Sequence, residues 1–138
     1  MDTAKVKYLG DLRCEAVHVR SGQRIVTDAP PDNQGRGEAF SPSDLTSTSL
    51  ACCMLTIMGI AARDRGWDLS GMEARVVKHM ASDPRRIAKV EVHFSLDGSQ
   101  LDAKARTILE RAAHTCPVAL SLREDLVQEI VFDWQGRP

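Results

Sequence analysis

Between Ser41 and Gly66 the chain reads SPSDLTSTSLACCMLTIMGIAARDRG, and over residues 50–62 only Thr56 and Gly59 interrupt an apolar run. A helix that is apolar on every side is buried on every side, so this stretch predicts a helix inside a core or between subunits. The run falls short of the roughly 20 apolar residues that cross a bilayer. Its ends are marked. Ser41 offers a capping hydroxyl, Pro42 suits the first helical position, and Asp44 can reach back to the cap as an acidic capping box. Gly66 offers a left-handed stop.

Elsewhere the pattern alternates. Residues 6–9, 12–19 and 24–27 predict three strands joined by tight turns such as Ser21-Gly22-Gln23, an antiparallel meander. In the second strand Leu12, Cys14 and Ala16 share one face, opposite Arg13, Glu15 and Val17. Residues 28–40 hold two prolines and two glycines and predict a long loop, solvated or functional, leading into the helix cap. Residues 72–80 predict a valine-rich strand, and Asp83-Pro84 a turn. The clearest strand spans 87–96: Val90, Val92, Phe94 and Leu96 lie on one face, and Lys89, Glu91, His93 and Ser95 on the other, which puts His93 at the surface.

Leu101, Ala105, Ile108, Leu109, Ala112 and Cys116 recur at helical spacing and predict an amphipathic helix over 102–115. Pro117 interrupts it, a short helix over 118–124 follows, and a last strand runs over 129–134. Strands with intervening helices, and no regular βαβ alternation, read as α+β.

Composition narrows the picture. The 138 residues suit one domain, 1–138. With 18 Lys and Arg against 19 Asp and Glu, there is no electrostatic case for nucleic acid or an anionic membrane. Aromatics are 4%, so the core is aliphatic. The N-terminal MDTAKVKY lacks an apolar leader segment, so the expected location is cytoplasmic. There the four cysteines are thiols rather than a disulfide framework.

Two of those thiols carry the candidate chemistry. Cys52 and Cys53 sit mid-helix, where the ordinary role of cysteine is that of a small hydrophobe. Neighbours on a helix point about 100° apart, so at most one of them faces a given site. Cys14 reads as packing. Cys116 differs: it precedes Pro117 at the start of a new helical turn, where free N–H groups favour a thiolate. The alternative is a core cysteine at a kink. No CxxC or HxxxH pattern suggests a metal. His114 and Cys116, two apart, do not face each other on a helix. Gly35 and Gly37 do not form a phosphate loop.

Ser41-Pro42-Ser43-Asp44-Leu45, Ala51-Cys52-Cys53-Met54 and Ala113-His114-Thr115-Cys116-Pro117-Val118 together resemble the OsmC/Ohr family, the osmotically inducible and organic hydroperoxide resistance proteins. The resemblance covers most of the chain. It implies an α+β, OsmC-like fold with an antiparallel sheet and a long buried central helix, in an intertwined homodimer. It also implies a thiol peroxidase with no metal or other cofactor, which reduces organic hydroperoxides and is restored by an external dithiol. By motif match Cys53 takes the peroxidatic place and Cys116 the resolving one. The family adds a carboxylate near the start of the cysteine helix and an arginine from the N-terminal strands. Here Ser43 stands where the hydroperoxide enzymes have Glu, which leaves Asp44 as the acid. Arg13 is the first choice for the arginine, with Arg20, Arg24 and Arg36 open. An apolar pocket lined by Leu50, Met54 and Ile57 is expected. The alternative is a non-catalytic dimer of the same fold that binds an apolar small molecule, or serves as a redox-sensitive stress protein.

Overall fold

The computed structural model describes residues 1–135, in two compact units, Met1–Thr46 and a second from Ser47 onward. The first unit is the expected meander. Strands β1 (Ala4–Gly10), β2 (Arg13–His18) and β3 (Arg24–Asp28) pair antiparallel in that order. Directly opposed residues share a face, so Val6, Ala16 and Ile25 form one row, and Tyr8, Cys14 and Thr27 the next. Leu12 departs from expectation. It is not a strand residue but half of a two-residue hairpin turn, with Asp11 and Leu12 at φ 55° and 63°. A turn whose twist matches the flanking strands needs positive φ at both central positions, and this outweighs the alternation that drew Leu12 into the strand.

The loop after β3 is folded on itself rather than merely solvated. The Asp28 amide donates to the Phe40 carbonyl at 3.1 Å, and the Gly37 amide donates to the Ala29 carbonyl at 3.1 Å. A side chain at Gly35 would overlap the Ala29 carbonyl. A single 3-10 turn, Pro31–Asn33, occupies the middle.

Helix α1 (Pro42–Asp64) starts as its sequence dictates. The Asp44 amide donates to Ser41 Oγ at 3.0 Å, and the Ser41 amide donates to Asp44 Oδ2 at 3.0 Å, a reciprocal capping box. It stops at Gly66, φ 72°, where the Trp67 amide reaches the Ala62 carbonyl and the Gly66 amide that of Arg63. With 23 residues the whole helix is long and apolar enough to cross a membrane by length and composition, but one side packs into the protein. Ser47, Leu50, Ala51, Met54, Met58 and Ala62 are buried at helical spacing. The expectation of burial all round is not met within this chain: Cys52, Thr56 and Ile60, one turn apart, form an exposed stripe.

In the second unit β4 (Glu73–Ala81) and β5 (Arg86–Asp97) pair antiparallel, and β6 (Val127–Gln135) lies parallel to β5 on its other side. The meander of the first unit is the antiparallel sheet expected, and the sheet of the second unit is mixed. The cause is the connection: α2 (Ala103–Ala113) and α3 (Pro117–Ser121) intervene between β5 and β6, and a crossover of that length permits parallel pairing where a short turn cannot. Asp102 caps α2, its Oδ1 accepting from the Ala105 amide at 2.8 Å. The last helix is shorter than expected because Leu122 is already extended, at φ −82° and ψ 154°.

The core joins the inner stripe of α1 to Val90, Val92 and Phe94 of β5 and to Ala105, Leu109 and Ala113 of α2. Phe94, Phe132 and Trp134 stack in succession, with ring centroids 5.3 and 6.0 Å apart. Each fully buried large side chain contributes about 1.5–3 kcal/mol relative to exposure.

Candidate thiol site

Pro117 determines how Cys116 is presented. A residue before proline is kept out of the helical region. Cys116 is accordingly extended, at φ −65° and ψ 142°, and becomes the N-cap of α3, with Pro117 as the first helical residue. From the cap position its Sγ accepts the Ala119 amide at 3.3 Å. The residue is fully buried.

On α1, Cys53 is half-buried and flanks the inner stripe, one position before buried Met54. The Cys53 side chain neighbours the Cys116 thiol closely enough to perturb its ionisation. Burial pushes the Cys116 thiol above its ordinary pKa, and the neighbouring sulfur of Cys53 pushes the same way; the Ala119 and Val118 amides oppose them. The pair is therefore two reduced thiols in contact, one fully buried and one half-buried. Such a pair can pass between dithiol and disulfide.

Cys52 points away from this contact. It is exposed, on the same stripe as Thr56, whose hydroxyl donates to the Cys52 carbonyl at 2.8 Å. Cys14 is half-buried on β2, directly opposite Tyr8 and Thr27. His114 is exposed and presents its ring edge-on to Phe132 at 6.3 Å.

The two polar candidates belong to the first unit. Asp44 forms the capping box with Ser41 at the head of α1. Arg13, on β2, pairs through Nη1 with Glu38 Oε2 at 3.4 Å. The loop positions Glu38: its amide donates to Oδ2 of buried Asp28 at 3.0 Å, while Asp28 Oδ1 has no partner among the described residues. Glu38 and Asp28 did not stand out in the sequence, because the loop carries no periodic pattern. Gln128 was missed as well. It lies one residue before the expected start of the last strand, and its Nε2 donates to the Ala119 carbonyl at 2.9 Å.

Of the residues expected to line an apolar pocket, Leu50 and Met54 are fully buried in the core and Ile57 is half-buried. A cavity of about 630 Å³ opens at the far end of α1, where Leu55, Gly59, Ala62, Trp67, Leu69 and Met72, and none of those three, contribute to its wall. Among the described residues no group of three His, Cys, Asp or Glu side chains could hold a metal ion.

Among curated proteins none matches this chain. Among solved structures, a Psychrobacter arcticus 273-4 protein described as an osmotic stress induced and detoxification response protein is 52% identical, with 96% of each chain covered and a TM-score of 0.92. More distant structures share the fold. The organic hydroperoxide resistance protein OsmC of Legionella pneumophila is 17% identical over 96% of this chain and 98% of that one, with a TM-score of 0.75. A Vibrio cholerae organic hydroperoxide resistance protein, with captopril bound in one of its active sites, is 14% identical over 96% and 92%, with a TM-score of 0.73. Residues 35–130, which contain both neighbouring cysteines, match the family described as OsmC-like protein, and with the close Psychrobacter relative this establishes that the chain belongs to the OsmC-like family.

Proposed function

We propose that this protein is a cysteine-based peroxidase that reduces organic hydroperoxides to alcohols. The observation that carries the reading is the proximity of the Cys53 and Cys116 thiols, residues far apart in the chain that both fall in the stretch matching the family. That solved structures sharing the fold are described as organic hydroperoxide resistance proteins supports the choice of substrate class.

In this reading the half-buried thiol reacts first. The Cys53 thiolate attacks the terminal peroxide oxygen; the O–O bond breaks, the alkoxide leaves and takes up a proton as the alcohol, and Cys53 becomes a sulfenic acid. The Cys116 sulfur then displaces the hydroxyl, which leaves as water, and a Cys53–Cys116 disulfide forms. An external dithiol reduces that disulfide by exchange and is itself oxidised. Arg13 and Asp44 are assigned as polar partners of the reactive thiol by resemblance alone. The working unit is a homodimer, a reading supported by the exposed stripe of α1 at Cys52, Thr56 and Ile60.

The test is one equivalent of an organic hydroperoxide added to the reduced protein, followed by peptide mapping. The expected product is a single intrachain Cys53–Cys116 disulfide and one equivalent of alcohol. Cys53 recovered fully reduced would overturn the peroxidase and favour a non-catalytic binding protein of the same fold.

A further inference from the structure

Gln128 is a polar residue on the inner face of β6, in the row that continues with Ile130, Phe132 and Trp134, and it stands directly beside buried Val90 of β5. A polar side chain on such a face is costly unless its hydrogen bonds are made. Gln128 spends its Nε2 donor on the Ala119 carbonyl, at 2.9 Å. Ala119 is the same residue whose amide donates to Cys116 Sγ, at 3.3 Å. The sheet thus reaches the cysteine through one residue of α3.

Helix α3 needs that support. It has five residues, too few for a helix to hold its shape without tertiary contacts. Its own bonds are few: the Leu120 amide donates to the Cys116 carbonyl at 3.2 Å and Ser121 Oγ to the Pro117 carbonyl at 2.7 Å, and neither involves the Ala119 amide that is the sulfur's donor. Anything that lets the turn drift takes the Ala119 amide away from Cys116.

We propose that Gln128 is a positioning residue for Cys116, holding Ala119 so that its amide stabilises the Cys116 thiolate as it attacks the Cys53 sulfenic acid. The inference rests on the thiol-peroxidase reading above and concerns its second step alone. In that step the Cys116 S–H bond breaks, the sulfur pair forms the S–S bond, and the displaced hydroxyl leaves as water with the released proton. Negative charge gathers on a buried sulfur at that moment, and a fixed N–H donor 3.3 Å away is worth most there. The first oxidation, on Cys53, does not use it.

The two steps are separated in Gln128→Leu by trapping the sulfenic acid and by following disulfide formation. First oxidation should run at the native rate. Disulfide formation should slow by about three- to tenfold, the effect of one hydrogen bond lost in the transition state. Its pH–rate profile should move to higher pH, and Cys53 should over-oxidise at a lower peroxide dose. Gln128→Lys, which keeps a donor for the Ala119 carbonyl, should recover most of the native rate. Native resolution kinetics and pH profile in Gln128→Leu overturn the proposal while the peroxidase reading stands. Equal slowing of both steps with a lowered Tm also overturns it, since packing alone would explain that. A native protein that forms no disulfide with peroxide overturns both.

Discussion

The thiol of Cys116, at the cap of α3, lies beside the thiol of Cys53, near the middle of α1. Two strands and a helix separate them in the chain, so the tertiary fold, not a local motif, makes the contact. The asymmetry between them matters for chemistry. Cys116 is fully buried and accepts a backbone amide, whereas Cys53 is half-buried.

The raised pKa of Cys116 fixes a sign for stability against pH. The folded chain holds this proton more tightly than the unfolded chain, so the contribution is complete below the ordinary thiol pKa of about 8.5. It is lost as pH rises from there through the higher folded-state value. Urea midpoints of the reduced protein should fall over that alkaline range, and Cys116→Ala should flatten the fall. An alkaline slope unchanged by the substitution would count against the burial argument.

Cys52 and Cys53 should separate cleanly on substitution. Cys52 is exposed and lies about 100° around α1 from its neighbour. Cys52→Ala should keep peroxide turnover within about twofold and leave stability within about 0.5 kcal/mol, the usual range for a surface change. Cys53→Ser should abolish turnover at once. Assays of the two purified variants decide it, and the reverse pattern would move the nucleophile to Cys52.

The elements of the fold were legible because each has a local cause. Ser41, Pro42, Asp44 and Gly66 mark the ends of α1 in one dimension, and the structure uses each of them as its type suggests. The alternation of Val90, Val92 and Phe94 names the inner face of β5 without any knowledge of its neighbours. Pairing across long connections has no such signature. Nothing in residues 127–135 states that β6 runs parallel to β5, and strand periodicity is the same in either direction. The same limit applies at the site. Pro117 betrays Cys116 because its constraint is local, while Gln128 and Glu38 acquire their roles only from what the fold brings beside them.

Asp44 has a structural role that must be distinguished from a chemical one. Its carboxylate accepts the Ser41 amide, so Asp44→Ala should destabilise the protein by about 1 kcal/mol, the usual effect of losing a cap interaction. Asp44→Asn keeps an acceptor and should restore most of that loss. Chemical denaturation gives the stabilities, and turnover of Asp44→Asn gives the rest. A stable Asn variant with normal turnover would confine Asp44 to capping, and a stable but inactive one would place its charge in the mechanism.

The exposed stripe of α1 gives the last prediction. Cys52, Thr56 and Ile60 recur one turn apart, and Ile60 keeps 46% of its surface exposed although it lies in the most apolar stretch of the chain. Pairing of this face with a second copy would bury that surface in both subunits, because a two-fold interface uses the same patch twice. Completing the burial of a half-exposed isoleucine is worth about 1 kcal/mol, hence about 2 kcal/mol per dimer. Ile60→Lys removes that gain and adds the cost of desolvating two like charges. The dimer dissociation constant should therefore rise by more than tenfold. Light scattering of the reduced native protein should give the mass of a dimer at micromolar concentration, and the same measurement on Ile60→Lys should show monomer appearing on dilution. A native monomer at that concentration would remove this face from the interface, and a native dimer unmoved by Ile60→Lys would place the contact elsewhere on the chain.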